Sequence, residues 1–227
     1  MSFLRAGRLA AARCVLAAPA RRRMAALVGV EIDSDAPEVG VLTLQRPPVN
    51  SLNAALLTDI AEGITELEGT PGVKAFVLAT AYEGRAFSAG LDLLEMYDRS
   101  PQELTAFWTR LQDTWLALYE TPLATVACVE GTAPAGGTLL ATACDYRVAA
   151  NDASIRLGLN EAAFGLVAPD FFLDSFGAVV GARTCERLAT TGALLGPADA
   201  LSANLVDELA PPGDAPGVAL REARRLA

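Results

Sequence analysis

The stretch "GTAPAGGTLLATACDYR", Gly131–Arg147, decides the fold of this 227-residue chain. It follows "ATVACVE" (124–130), a short apolar run that is typical of a buried strand. Two adjacent glycines, Gly136 and Gly137, then stand where a helix over about 136–143 is predicted to begin. A glycine inside a helix costs about 1 kcal/mol relative to alanine. Either the turn from strand to helix is tight, or something comes close to the backbone there.

Working outward from this stretch, short apolar runs alternate with helical patterns along the chain. The order of the segments predicts an α/β domain in which largely parallel strands are joined by crossover helices. The predicted strands are a hairpin over 25–33 and 39–45, followed by 74–80, 124–130, 145–150 and 206–209. The predicted helices are 53–68, 100–120, 136–143, 181–192 and 196–205.

Three further segments carry weaker or different signals. "SPQEL" (100–104) predicts a helix start, because Ser100 and Glu103 can form a capping box around Pro101. "NEAAFGLVAPDFFLDSF" (160–176) predicts a loop with a short helix. The final "EARRLA" is predicted to be the beginning of a helix.

The composition excludes several kinds of chemistry. The chain has no histidine, which removes Ser-His-Asp and Cys-His catalysis and histidine-based metal sites. Its four cysteines form no CxxC pair, so we expect no zinc site and interpret the cysteines as reduced thiols. No apolar run reaches the roughly 18–20 residues of a membrane span, so we expect no membrane insertion. Proton transfer must therefore use carboxylates, tyrosines, cysteines or the single lysine, Lys74.

The first thirty residues differ in charge from the rest. They hold six arginines and no acidic residue before Glu31, which predicts a mitochondrial transit peptide over residues 1–27; a disordered basic tail is the alternative. The remainder has 12 basic against 27 acidic residues, a net charge of −15. We therefore expect no nucleic-acid partner for the body of the protein.

Two loops and one glutamate are the candidates for chemistry. "FSAGLDL" (87–93) and "GTAPAGG" (131–137) each follow a predicted buried strand and consist largely of small residues. One backbone N–H from each loop could form an oxyanion hole, although such turns are also common without a function. Glu161 stands among apolar residues in "LGLNEAAFGLVAP" (157–169). It is either a surface or capping glutamate, or a carboxylate in an apolar pocket, where desolvation would raise its pKa.

The chain resembles the crotonase (enoyl-CoA hydratase/isomerase) superfamily from about residue 38 to about 209. The resemblance is strongest to its mitochondrial Δ3,Δ2-enoyl-CoA isomerase branch. It is carried by "RPPVNSLN" (46–53), "FSAGLDLLEM" (87–96), "GTAPAGGTLLATACDYR" and "GLNEAAFGLVAP" (158–169). It implies a crotonase-like spiral of ββα turns over residues 28–227, a homotrimer, the mitochondrial matrix and an acyl-CoA thioester substrate. CoA is then part of the substrate, and no separate cofactor or metal is implied.

The resemblance also implies roles for particular residues. The thioester oxygen would lie between the backbone N–H groups of Leu91 and Gly136, and Glu161 would be the catalytic residue. By this analogy the glycines let the oxyanion approach the backbone. The implied contacts to substrate and CoA are Asn50, Ser51, Leu52, Ala89, Gly90, Leu91, Asp92, Leu93, Gly136, Gly137 and Leu139.

One departure from the family pattern bears on the reaction. Hydratases of the family use two glutamates, and one of those positions is occupied here by Leu139. A proton shift by one base needs a single carboxylate, so the pattern favours migration of the double bond from 3-enoyl-CoA to trans-2-enoyl-CoA, as in β-oxidation of unsaturated fatty acids.

Three alternatives stay open at this point. Dienoyl-CoA isomerisation needs a further acid, for which Asp170 and Asp174 are near in sequence. CoA-ester hydrolysis is a second family reaction. The third is a non-catalytic CoA-binding subunit, because family members usually continue for some tens of residues through C-terminal helices that this chain is expected to lack.

Overall fold

The computed structural model describes residues 26–227. The predicted transit peptide over 1–27 therefore lies almost wholly outside the described residues. Within the described part of the chain, no helix combines the length and the apolar character needed to cross a membrane.

Six strands form one sheet and two short strands form another. The large sheet has the order β1-β2-β3-β4-β6-β8; β1 and β2 are antiparallel and all further neighbours are parallel. The small sheet pairs β5 with β7. The strands are β1 (Val28–Ile32), β2 (Val39–Leu44), β3 (Ala75–Thr80), β4 (Ala124–Val129), β5 (Ala133–Pro134), β6 (Tyr146–Ala150), β7 (Leu157–Gly158) and β8 (Glu208–Ala210).

Seven helices and two 3₁₀ turns occur within residues 26–227. The 3₁₀ turns are Leu93–Glu95 and Glu161–Phe164. The helices are α1 (Ala54–Glu68), α2 (Pro101–Tyr119), α3 (Gly136–Thr142), α4 (Asp170–Val180), α5 (Ala182–Thr191), α6 (Pro197–Ser202) and α7 (Ala215–Leu226). The α/β class, the parallel sheet and the predicted helix order are confirmed.

Local signals fix several helix ends. The capping box predicted at the start of α2 is present: the backbone N–H of Ser100 donates to the Glu103 carboxylate at 2.8 Å, and the Glu103 N–H donates to Ser100 Oγ at 3.3 Å. The Asn53 side chain caps α1 by accepting from the Leu56 N–H at 2.9 Å. Gly192 ends α5 in the left-handed conformation, which glycine adopts without steric cost.

Two predictions about helices were too short. The segment 160–176 contains most of α4, which runs to Val180 over 11 residues. The last helix begins at Ala215 rather than near the final "EARRLA". Its buried residues are Ala215, Ala219, Glu222 and Ala223, and small alanines beside a charged residue give only a weak apolar pattern in the sequence.

The core lies between the sheet and its helices. The central strand β3 is buried along most of its length, and helix α1 covers the β1–β2 hairpin. The largest side chains without exposed surface include Phe76, Phe87, Phe172 and Phe176. Because β3 and β4 are adjacent and parallel, the loops that follow them leave the sheet at the same edge. These are the two small-residue loops singled out in the sequence.

Candidate active site

The loops after β3 and β4 are joined backbone to backbone. The Phe87 N–H donates to the Thr132 carbonyl at 3.1 Å. Ala86 and Thr132 form a parallel bridge. A Cβ added to Gly131 would lie 2.5 Å from the nitrogen of Ala86, closer than real Cβ atoms come to other atoms. Any side chain at position 131 would therefore push the loop after β4 away from Ala86 in the loop after β3.

Gly137 answers the question raised by the glycine pair. A Cβ on Gly137 would lie 2.4 Å from the carbonyl oxygen of Ser88. Gly90, on the same loop as Ser88, has φ +83°, and a Cβ there would lie 3.0 Å from the Pro134 carbonyl oxygen. What comes close to the backbone is thus the neighbouring loop, and this contact accounts for Gly137 and Gly90 without any ligand.

Two backbone N–H groups near this contact, those of Leu91 and Gly136, are without an acceptor in the described chain. Leu52 donates to the Gly90 carbonyl at 2.8 Å and accepts from the Asp92 N–H at 3.0 Å, so the intervening Leu91 N–H is not used in this pairing. Gly136 is the first residue of α3, where an N–H has no partner within the helix. Neither N–H has an acceptor among residues 26–227. A Cβ on Gly136 would lie 3.3 Å from Leu91 Cδ2, which shows how near the two segments are.

Ala135 holds the turn before Gly136 in an unusual conformation. Its φ of 49° and ψ of −116° lie in a region that favours glycine. The Ala135 N–H donates to the Gly158 carbonyl at 2.8 Å, and its carbonyl accepts from the Leu139 N–H at 3.0 Å. These bonds keep a strained residue in place next to one of the two free donors.

Glu161 is attached to this arrangement through the small sheet. Thr138 Oγ1 donates to the Ala133 carbonyl at 2.6 Å and accepts from the Gly158 N–H at 2.8 Å. The pairing of β5 with β7 thus holds the chain three residues before Glu161 against the Gly136 turn. The structure therefore brings Leu91, Gly136 and the Glu161 segment to one region.

The environment of Glu161 suits a proton acceptor. The residue is half-buried, and its Oε2 atom is buried with no hydrogen-bond partner in the described chain. Burial raises the pKa of the carboxyl above its ordinary value of 4.5, and a hydrogen bond from its own backbone N–H opposes this rise. Its side chain does not cap the 3₁₀ turn that it begins, and it is half-buried rather than fully exposed.

The other predicted contact residues divide into those at the surface of the site and those beneath it. Ala89 and Leu93 are exposed, Ser51, Leu91 and Asp92 are partly buried, and Leu52, Gly90, Gly136 and Gly137 are buried. Leu139 has 1% of its surface exposed and packs inside α3. It lies beneath the turn as part of the core.

Asn50 joins several segments below the loops. It is fully buried, and its side-chain amide donates to Thr80 Oγ1 and to the Phe87 carbonyl, each at 2.9 Å, and to the Leu44 carbonyl at 3.3 Å. Its Oδ1 accepts from the Arg46 N–H at 2.8 Å. The Asn50 side chain thus holds the strand ends and the 87–91 loop together, and its contact with substrate stays a prediction.

An apolar cavity of about 600 Å³ opens beside the Glu161 segment, between α4 and α5. It includes Ala162 but none of Leu91, Gly136 and Glu161, so it adjoins the candidate site without containing it. Most of its lining is apolar, with Asp174 and Glu186 as its acids. No local pattern in the sequence indicates that α5 contributes to this region.

Two more residues were not singled out from the sequence. Arg46 forms an ion pair with Asp92 at 2.8 Å.

Glu130, at the end of β4, is 5% exposed, and its Oε1 has no hydrogen-bond partner in the described chain. Burial, reinforced by the nearby negative charge of Glu83, raises the pKa of Glu130 to about 7. The local sequence pattern indicates neither the ion pair of Arg46 nor the raised pKa of Glu130, because Asp92 and Glu83 come from distant segments.

Comparisons with known proteins identify the family of the chain. Residues 35–227 match the family model described as enoyl-CoA hydratase/isomerase. "Enoyl-CoA delta isomerase 1, mitochondrial" of Mus musculus is 41% identical over 183 residues, covering 80% of this chain and 63% of that protein. The Homo sapiens protein of the same name is 39% identical over 192 residues, covering 85% and 63%.

A solved structure supports the fold as well. The crystal structure of human mitochondrial delta3-delta2-enoyl-CoA isomerase superposes with a TM-score of 0.85 at 37% identity, covering 88% of this chain and 76% of that one. The chain spans 63–66% of the length of the first curated relatives that it matches.

Proposed function

The chain belongs to the enoyl-CoA hydratase/isomerase family, and on that premise we propose that it isomerises 3-enoyl-CoA thioesters to trans-2-enoyl-CoA. The observation that carries the proposal is the half-buried Glu161 carboxyl, whose Oε2 has no hydrogen-bond partner in the described chain, on a segment that the β5–β7 pairing joins to the Gly136 turn. Leu139, buried in α3, stands where the hydratases of the family have their second glutamate.

The proposed reaction uses one carboxyl group twice. The Glu161 carboxylate takes a proton from C2 of the substrate, and the electron pair of that C–H bond delocalises over the former double bond and the thioester carbonyl. The negative charge on the thioester oxygen is stabilised by the N–H groups of Leu91 and Gly136. Glu161 then returns the proton to C4, which leaves the double bond between C2 and C3.

Burial of Glu161 makes this transfer feasible near neutral pH. A base is most effective when its pKa is close to the working pH, and desolvation moves the Glu161 pKa in that direction. The burial of Oε2 also limits exchange of the transferred proton with water. The cavity beside Ala162 would take the acyl chain, and the loops 46–52 and 89–93 would hold the CoA portion.

We extend the proposal to assembly and location. Phe164, Leu166 and Val167 are exposed in a row after Glu161, an arrangement that suits a contact between subunits. A homotrimer in the mitochondrial matrix would fit this surface and the names of the relatives. Sedimentation equilibrium of the purified chain measures the subunit number.

Dienoyl-CoA isomerisation is the second candidate, because Asp174 lines the cavity next to the Glu161 segment. A product screen separates the candidates. The chain is incubated with 3-hexenoyl-CoA, with a 3,5-dienoyl-CoA, and with trans-2-hexenoyl-CoA in water, and the products are separated by chromatography. We expect trans-2-hexenoyl-CoA from the first substrate and no 3-hydroxy product from the third. Turnover of the dienoyl substrate alone would replace the proposal, and turnover of none would leave a CoA-binding role.

A further inference from the structure

We propose that Arg46 is a positioning residue that fixes the direction of the Leu91 N–H by holding Asp92. This inference rests on the proposed function, because it assigns Arg46 a part in stabilising the thioester oxyanion. The argument starts from the contacts of the guanidinium group. Arg46 Nη2 lies 2.8 Å from Asp92 Oδ2, and Nη1 donates to the Ser51 carbonyl at 2.8 Å.

The Arg46–Asp92 pair is shielded from water. The two side chains are 22% and 16% exposed. The backbone N–H of Arg46 also donates to Asn50 Oδ1, within the buried network below the loop. Charge-assisted hydrogen bonds that are both short and partly buried hold their partners in a defined geometry. Arg46 thus links a rigid base to the loop that carries Leu91.

Asp92 is fixed from the opposite direction as well. Its Oδ1 accepts from the Leu94 N–H at 3.2 Å, and its own N–H donates to the Leu52 carbonyl. The Leu52 N–H also donates to the Gly90 carbonyl, so the residues before and after Leu91 are both hydrogen-bonded to Leu52. The orientation of the Leu91 N–H therefore depends on Asp92 staying in place, and only the Arg46 contact to Asp92 involves a full opposite charge.

A lysine cannot reproduce the arrangement. The guanidinium presents donors in a fixed fork, so one group reaches both Asp92 and Ser51. An ammonium at the end of a flexible stem can neutralise Asp92 without fixing its direction. Arg46→Lys therefore separates the effect of charge from that of geometry.

The competing role for Arg46 is a direct contact with a phosphate of CoA. Substrates of two kinds distinguish the roles: 3-hexenoyl-CoA, and the 3-hexenoyl thioester of N-acetylcysteamine, which lacks every phosphate. A positioning residue affects kcat for both thioesters by the same factor. A phosphate contact raises KM for the CoA thioester alone.

The variants are Arg46→Met, Arg46→Lys and Asp92→Asn, with Arg221→Met as the control. Arg221 forms an ion pair with Glu208 at 2.7 Å far along the chain from the loops. Loss of a whole oxyanion donor costs about 10²- to 10³-fold in kcat, and we expect misalignment of one to cost about 10- to 100-fold. Arg46→Met and Asp92→Asn should each lose this much with both thioesters, while KM changes less than about threefold and Arg221→Met is unaffected.

The double variant adds a check on the link itself. Arg46→Met combined with Asp92→Asn should lose no more than either single variant, because the two residues act as one unit. Multiplying losses would refute the assignment, as would an unchanged kcat in Arg46→Met. An increase in KM that is confined to the CoA thioester would show a phosphate contact instead.

A readout without turnover keeps the inference separate from the proposed function. Hydrogen exchange of the peptide covering residues 88–97 in the free chain should accelerate in Arg46→Met and Asp92→Asn but not in Arg221→Met, with other regions unchanged. Absence of wild-type turnover would refute the proposed function only. Unchanged exchange in both loop variants would overturn the positioning role whatever the activity.

Discussion

Replacing Glu130 by glutamine should stabilise the protein at high pH and not at low pH. In the folded chain burial and Glu83 raise the pKa of Glu130 from 4.5 to about 7, so the folded state holds this proton more tightly than the unfolded state does. Raising the pH therefore costs stability. The cost begins as the pH passes 4.5, grows until about 7, and stays constant above that value.

The magnitude follows from the two pKa values. Each tenfold change in proton affinity is about 1.4 kcal/mol, so the change from 4.5 to about 7 corresponds to about 3 kcal/mol of lost stability at pH 8. Glutamine keeps the shape of the side chain and cannot ionise. For a chain of this size, the difference between Glu130→Gln and wild type should grow by about 6–12 °C in Tm between pH 4.5 and 8.

Urea unfolding followed by tryptophan fluorescence measures this difference. The free energy of unfolding is determined for wild type and Glu130→Gln from pH 4.5 to 8, and the difference is plotted against pH. Glu66→Gln, on the exposed side of α1, serves as the control and should give a flat difference. Glu83→Gln should remove part of the cost, because one source of the raised pKa is gone. A flat difference for Glu130→Gln would refute the reasoning.

Three further changes test other parts of the account. Gly137→Ala places a Cβ 2.4 Å from the Ser88 carbonyl oxygen, so it should lower the free energy of unfolding by about 1–3 kcal/mol and reduce kcat. The control Gly217→Ala, whose Cβ would have no atom within 4 Å, should be neutral or stabilising. Equal effects of the two substitutions would contradict the loop contact. The profile of kcat/KM against pH should fall on the acid side with a midpoint above pH 4.5. Glu161 must be ionised to accept a proton, and burial raises its pKa above 4.5. A midpoint at or below 4.5 would count against Glu161 as the base. Ala189→Trp should fill the cavity and reduce turnover of 3-dodecenoyl-CoA far more than turnover of 3-hexenoyl-CoA. The control Ala178→Trp, at an exposed position, should leave the ratio of the two turnover rates unchanged. An unchanged ratio in Ala189→Trp would place the acyl group elsewhere.

The features that the sequence predicts well have local causes. The start of α2 follows from the Ser100–Glu103 pair, and the parallel sheet follows from the alternation of short apolar runs with helical patterns. The three segments of the candidate site were also recognised in the sequence. Their meeting in space is a consequence of adjacent parallel strands, which the order of elements already favours.

The features that were missed depend on distant contacts. The strands β5 and β7 have two residues each, too few for a periodic signal, yet they attach Glu161 to the Gly136 turn. Nothing near Asn50 in the sequence indicates that its side chain bonds Leu44, Thr80 and Phe87. The glycine at 137 was assigned to an approaching oxyanion, whereas the structure shows the Ser88 carbonyl in that place.

The central claim is that Glu161 alone moves the proton. The most direct measurement is the kcat of Glu161→Gln with 3-hexenoyl-CoA, followed by the formation of the conjugated enoyl thioester, beside wild type and the control Glu66→Gln on the exposed side of α1. Glutamine preserves the size of the side chain but cannot accept the proton. The account predicts a loss of about 10²- to 10⁴-fold in Glu161→Gln, the range for a missing general base, and near wild-type turnover in the control. Wild-type turnover in Glu161→Gln would contradict the account.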